Sequence, residues 1–194
     1  MADPVEVLDF WLGEIGSEGW YAGGDELDGV CRDRFLEVWQ AAHGGGLEHW
    51  VDGTVASLAY LIVTDQLARN IHRGTALAFA TDERARTAAR RAVEAGWDMG
   101  APEPERQFFY LPFEHSEDMG DQDRCVVLMT ERLPETGAEN VLHAHAHREI
   151  IARFGRFPFR NAALGRVSTP EEDAFLAEGG YGAVVRRLEA EAMR

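Results

Sequence analysis

The sequence predicts an all-α chain of about eight to ten helices. Three observations carry that expectation. No segment alternates apolar and polar residues as a half-buried strand does. Apolar residues recur instead at helical spacing, most clearly at Val55, Leu58, Ala59 and Ile62. Helix start and stop signals punctuate the chain: Asp3-Pro-Val-Glu6 and Thr169-Pro-Glu-Glu172 as starts, Gly96 and Gly155 as stops.

The first helix begins at Asp3 and buries Val7, Leu8, Phe10 and Trp11 until Gly13 and Gly16 end it. Residues 13–27 then read as a loop, with Trp20 and Tyr21 packed back on the body. Residues 28–42 read as helix with Val30, Phe35, Val38, Trp39 and Ala42 as the buried stripe, broken by Gly44-Gly45-Gly46. The strongest helix runs from Asp52 to Arg69. Its stripe continues onto Asp65, Gln66 and Arg69, so polar groups face the same way as the core. Thr81-Asp82-Glu83 opens a helix of small residues, Ala85, Ala88, Ala89 and Ala92, that allow close packing.

The aromatic run Phe108-Phe109-Tyr110-Leu111 reads as a helix interior that Pro112 kinks or ends, because proline removes a backbone hydrogen bond and clashes with the carbonyl four residues back. Ionisable residues follow at once: Glu114, His115, Glu117 and Asp118. A helix continues after Asp118 to about Leu133. Residues 139–154 form another, with His143, His147, Ile150, Ile151 and Phe154 along one side and Gly155 as the stop. A short helix follows Thr169, and the tail from about Val184 is a charged amphipathic helix or frays.

At 194 residues the chain suits one domain with a full core or two small ones; the reading is a single domain, 1–194. A hydrophobic content of 45% is globular rather than disordered. The sequence lacks an apolar run long enough for a membrane helix and a signal-peptide pattern, so a cytoplasmic protein with no membrane partner is expected. Cys31 and Cys125 then read as reduced thiols. The net charge of -15 argues against a nucleic-acid partner, which would need a basic face. All 19 basic residues are arginine, which excludes a lysine Schiff base, a pyridoxal phosphate anchor and a phosphate-loop lysine. No cofactor is implied.

Charge is unevenly spread. Residues 1–60 hold twelve acids against Arg32 and Arg34, whereas residues 148–166 hold Arg148, Arg153, Arg156, Arg160 and Arg166 against Glu149 alone. Two candidate constellations follow. A ligand set of Arg69, Asn70, Arg73, Asp118, His147, Arg153, Arg156, Arg160 and Asn161 would hold an anion through guanidinium forks and amides, or would pair with internal acids to lock helices. A catalytic set of His115, Glu114 and Asp65 would place an imidazole beside carboxylates for acid–base work, or would be a helix end bonded to backbone. Convergence of Asp65, Arg69, Glu114, His115 and Arg160 is expected, with Arg160 open to water in its loop. A metal reading uses His143 and His147, four apart on one helix, with Glu114 or Asp118; it ranks lower and no resident metal is expected. No nucleophile elbow occurs, and Ser116 cannot face His115 beside it on a helix.

Several motifs together resemble the bacterial domain-of-unknown-function family 924. They are Val7-Leu-Asp-Phe-Trp11, Asp65-Gln-Leu-Ala-Arg-Asn-Ile71, Arg73-Gly-Thr75, Tyr110-Leu-Pro-Phe-Glu-His-Ser-Glu-Asp118, Arg153-Phe-Gly-Arg-Phe-Pro-Phe-Arg-Asn161 and Ser168-Thr-Pro-Glu-Glu172. The resemblance covers about residues 5–180 in one order. It implies a tetratricopeptide-like right-handed α-α superhelix and implies no activity. Two positions depart from the family pattern. Leu67-Ala68 stands where the family has Phe-Pro, and Phe159 where it often has His. His147 matches a family position; His143 and His145 do not. The functional expectation is a polar, arginine-rich pocket that binds or acts on a small anionic metabolite. The alternatives are a protein-interaction scaffold offering a helical-repeat groove to a peptide, and a metal-dependent enzyme.

Overall fold

A computed structural model describes residues 3–193, and among them there is no strand: the chain is helical, joined by turns and short irregular stretches. No helix among the described residues is long and apolar enough to cross a membrane. The chain divides into two compact units, Met1–Pro112 and Phe113–Arg194.

The first unit opens as the sequence predicts. Asp3 caps the helix Pro4–Leu8, its carboxylate accepting from the Val5 amide at 2.9 Å, and Pro4 sits in the first turn where a missing N–H costs nothing. The helix does not stop at Gly13. It widens into a π-helix, Asp9–Ile15, and a further turn, Gly16–Gly19, replaces the expected loop. Trp20 is buried, with its indole N–H on the Trp11 carbonyl at 2.8 Å and its ring edge-on to Phe108, while Tyr21 is exposed. The next helix, Asp25–His43, buries Cys31, Phe35, Trp39 and Ala42, but leaves Val30 39% exposed, contrary to the predicted stripe.

Residues 54–71 form the central helix: Thr54–Leu61, a π-helical stretch Ile62–Leu67, and Ala68–Ile71. Every residue from Ser57 to Ala68 is buried. The one-face stripe is therefore too narrow a description; this helix is enclosed all round, and Val55, expected inside, is 55% exposed in its first turn. The predicted burial of Leu58, Ile62, Phe108, Phe109, Leu111 and Ile151 is observed. Asp82–Ala95 packs its alanine face against Thr54–Leu61 and ends at Gly96 in the left-handed conformation (φ 74°) that glycine adopts without strain.

The aromatic run is not a long helix bent by proline. It is a 3-10 helix, Glu105–Phe109, which ends before Pro112 is reached. Pro112 lies in the first turn of a new short helix, Leu111–Glu114, where its lack of an N–H is harmless.

The second unit begins there. Met119–Arg132 starts at Asp118, whose side chain accepts from the Asp121 amide at 3.0 Å. Ala138–Phe154 packs on it and ends at left-handed Gly155. Thr169 and Glu172 form the predicted capping box at Pro170–Ala177. The tail is a helix from Gly180 to Ala192, four residues earlier than the sequence suggested. Its Val184 joins Ala146, Ile150, Ile151, Phe157 and Phe175 in the core of this unit.

Candidate functional site

In the first unit, the predicted site residues sit in two charged clusters. Arg69 bridges two acids: Nη2 lies 3.2 Å from Asp65 Oδ1, and Nη1 donates to Asp82 Oδ1 and to the Ala78 carbonyl, both at 3.0 Å. Asp65 also accepts from the Gln66 amide at 2.6 Å. Arg73 and Asn70 both donate to Asp28, Arg73 through Nε (2.5 Å) and Nη2 (2.8 Å), Asn70 through Nδ2 (2.9 Å). The Arg73 guanidinium holds the Asp28 carboxyl below the usual carboxylate range. This cluster ties the first turn of Asp25–His43 to the end of the central helix.

In the second unit, three more predicted ligand residues grip acids in the first turn of the helix Pro170–Ala177. Arg156 forks onto Glu172 at 2.6 and 2.7 Å and also donates to the Val167 carbonyl. Asn161 adds a bond to the same carboxylate at 3.3 Å and one to Ser168 at 3.0 Å. Arg156, then the Thr169 amide, hold Glu172 down to about 2. Arg153 pairs with Glu171 at 3.1 Å on the surface and lies over Phe154 and Phe175. Asp118 is the helix cap already described. Glu117, which the site sets omitted, accepts from Arg166 at 2.8 and 3.0 Å and from the Phe157 amide.

A different group gathers around His147. At the end of the helix Leu111–Glu114 the buried amide of Gln122 donates to the carbonyls of Phe113 (3.4 Å) and Glu114 (2.6 Å) and, just past the helix, of Ser116 (2.7 Å). That fixes Glu114, which is 4% exposed, with Oε1 3.2 Å from His147 Nδ1. His147 Nδ1 also lies 2.9 Å from the His143 carbonyl. Neither the carbonyl nor a carboxylate has a proton to give, so Nδ1 carries the hydrogen and donates. Nε2 is left with its lone pair, and no hydrogen bond to it is present among the described residues. Burial, reinforced by the charges of His115 and Arg160, pushes His147 down to about 3, so the ring is neutral near pH 7.

Aromatic rings frame this imidazole. His115 and Phe157 lie edge-on at 6.2 and 5.4 Å between centroids, and Tyr181 is tilted at 4.7 Å. Tyr181 hydroxyl is bonded to His143 Nδ1. Arg160 is 6% exposed with its guanidinium 4.5 Å above Phe157; the expectation that it stands open to water is wrong, because that ring and the loop fold it inward. An open groove of about 540 Å³ is lined by His147, Phe159, Leu176, Tyr181 and the backbone of Gly179, Gly180 and Gly182.

Among the described residues no three His, Cys, Asp or Glu side chains are grouped to hold a metal ion. His143 and His147 share a face, but each Nδ1 is already bonded, one to Tyr181 and one to a carbonyl.

Of the five residues expected to converge, Asp65 and Arg69 meet in the first unit, and Glu114, His115 and Arg160 surround His147 in the second. Sequence reasoning missed Asp28, Asp82, Gln122 and Tyr181. The run Gly179-Gly-Tyr-Gly182, glycines around one aromatic at a helix start, was the legible signal for the groove wall.

A search of curated proteins found no match. Among solved structures, a protein of unknown function from Agrobacterium tumefaciens is similar over 90% of this chain and 97% of its own, with 40% sequence identity and a TM-score of 0.84. A family model for bacterial proteins of unknown function, domain-of-unknown-function family 924, matches residues 7–180, and the chain belongs to that family.

Proposed function

We propose that the second unit binds, and takes a proton from, a small anionic metabolite in the groove at His147. The observation that supports this most is the state of that imidazole: it lines the groove, its Nδ1–H is committed to the His143 carbonyl and Glu114, and Nε2 keeps a lone pair. A neutral ring so held accepts a hydrogen bond from a ligand hydroxyl or N–H. If it takes the proton, Glu114 behind Nδ1 stabilises the imidazolium, which is how a buried carboxylate supports a general base. His147 thus takes the role first assigned to His115, and His115 packs against it. Arg160 supplies positive potential that reaches His147 and favours an anionic ligand. Phe159 and Tyr181 offer flat apolar walls to the body of the ligand.

In this reading Arg69, Arg73, Arg153 and Arg156, with Asn70 and Asn161, hold the fold through Asp65, Asp82, Asp28, Glu171 and Glu172. Asp65 acts there rather than in catalysis. The protein works in the cytoplasm without nucleic acid.

A thermal-shift screen of anionic metabolites tests the proposal, because a ligand that binds only the folded state raises the melting temperature. At least one hydroxy- or amino-acid-like anion should stabilise the wild type. Phe159→Ala, an exposed wall position, and His147→Gln should both lose that shift. A shift that survives both substitutions, or no shift from any anion at millimolar concentration, overturns the proposal.

A further inference from the structure

The groove has one cationic side chain at its edge that neither the sequence motifs nor the family match includes. Arg186 lies on Gly180–Ala192, after the last residue that the family model matches. Helical side chains lean toward the N-terminus of their helix, and Arg186 follows that rule back to the glycine turn. A Cβ at Gly179 would come within 3.2 Å of its Nη2, and a Cβ at Gly182 within 3.2 Å of its Nη1. Both glycines line the groove. The guanidinium therefore rests on the groove's backbone edge, in space that any larger residue would contest.

Among the described residues Arg186 has no hydrogen bond and no ion pair. Partners are not scarce. The chain has 34 acidic residues to 19 arginines, and Glu189 stands one turn further along the same helix. Its neighbour Arg187 pairs with both Glu149 and Glu191. Arg186 is the seventh of the 13 helix residues, but its guanidinium reaches back to Gly179 and Gly182 at the first turn, where a cation is disfavoured unless an anion answers it. Three features border one groove: the cavity itself, the His147 imidazole that lines it with an unused lone pair, and a guanidinium with no ion pair among the described residues that lies against two of the lining glycines.

We propose that Arg186 is the anion-recognising residue of this groove, so that the ligand is an aromatic or similarly flat molecule with a carboxylate or phosphate at one end and a hydroxyl or N–H at the other. The oxyanion takes the Arg186 fork, the flat body lies against Phe159 and Tyr181, and the donor meets His147 Nε2. Carboxylate and phosphate share the geometry that a guanidinium reads. This inference rests on the groove reading above and goes further by naming the ligand's chemistry and the residue that selects it.

The test is a set of titrations followed by protein NMR with defined probes: 4-hydroxybenzoate, phenyl phosphate, inorganic phosphate, and phenol as the neutral body. Wild type should bind 4-hydroxybenzoate or phenyl phosphate more tightly than phenol, and binding of the anion should weaken with salt. Arg186→Gln should weaken the anion about tenfold or more, the size of a charge-assisted hydrogen bond, and leave phenol unchanged. Arg186 is exposed, so its substitution leaves folding intact. The relative strength of 4-hydroxybenzoate and phenyl phosphate tells carboxylate from phosphate, and either order supports the proposal. Anion affinity that stays within twofold in Arg186→Gln but falls in His147→Gln overturns the role of Arg186 and leaves the groove reading standing. Failure of all four probes to bind at millimolar concentration overturns both.

Discussion

Arg69→Met should be among the most damaging single substitutions in the first unit. The guanidinium is shared by Asp65, 1% exposed, and Asp82, 9% exposed, and its side chain is 20% exposed. Methionine keeps most of the volume and removes the cation, so the change isolates charge from packing. Breaking a buried pair by deleting one partner costs roughly 3–5 kcal/mol, because the remaining charge has lost the solvation that its partner replaced. The lower end applies here, since Arg69 is partly wet and Asp65 keeps the Gln66 amide at 2.6 Å. A loss of about 3 kcal/mol corresponds to a fall in melting temperature of roughly 6–12 °C for a chain of this size. Urea and thermal unfolding followed by circular dichroism measure it. Arg69→Lys keeps the charge but cannot reach both carboxylates and the Ala78 carbonyl, so an intermediate loss of about 1–2 kcal/mol is expected. Adding Asp65→Asn to Arg69→Met should cost less than the sum of the two single changes, since they remove one interaction. Arg69→Met within about 1 kcal/mol of wild type, the ordinary surface range, would refute the assignment of Arg69 to the fold.

Four further outcomes are expected. Thr169→Ala removes the side-chain half of the capping box and should cost about 1 kcal/mol in urea unfolding. Cys31 and Cys125 are fully buried, with burial pushing Cys31 up to about 11 and Cys125 well above the ordinary thiol value, so neither should react with a thiol reagent until the chain is unfolded. Glu172 is held at about 2 against an ordinary 4.5, so the unfolded chain takes the proton first; its contribution is present above pH 4.5 and is lost as pH falls toward 2, and Glu172→Gln should flatten stability across that window. His147 is likewise lower when folded, about 3 against 6.5, so stability falls with pH between those values; its ring resonances should stay those of the Nδ1–H tautomer down to about pH 4, and titration near 6.5 would contradict its burial.

The helices were legible because their ends are written in local sequence. Asp3, Asp118, Thr169, Gly96 and Gly155 all mark termini within a few residues. Errors arose where enclosure, not periodicity, decides. A stripe rule needs one wet face, and the helix through Ser57–Ala68 has none, so Val55 was placed inside by extrapolating a pattern past the point where the helix emerges. Pro112 misled for a related reason. A proline after an aromatic run reads as a break within a helix, but it is equally at home in the first turn of the next one. The π-helical stretches at Asp9–Ile15 and Ile62–Leu67 leave no local signature that a 3.6-residue period would reveal.

The candidate site was only half legible, and the reason lies in how it is built. Its groups come from the ends of helices distant in sequence: Glu114 closes Leu111–Glu114, Arg160 closes the turn Pro158–Arg160, and Tyr181 opens Gly180–Ala192. His147 alone comes from a helix interior. A residue at a helix end is read from sequence as part of the cap, which is why Glu114 and His115 could be read as a capped helix end bonded to backbone as well as a titrating pair. What tells the readings apart is a third residue far along the chain. Gln122 occupies the carbonyls that would otherwise need water, and this lets the Leu111–Glu114 end be buried with Glu114 aimed at His147 Nδ1. The same logic separates the arginines. Arg69, Arg73 and Arg156 are satisfied by Asp65, Asp82, Asp28 and Glu172, acids that no spacing rule joins to all of them. Arg186 is of the same type and charge, yet lies against glycine backbone at an open groove. Charge composition located the basic island at residues 148–166, but which arginine meets a ligand depends on where the acids finish after folding. Among the described residues, acids finish on the motif arginines Arg69, Arg73, Arg153 and Arg156, whereas Arg186, beside the groove, lies outside every motif.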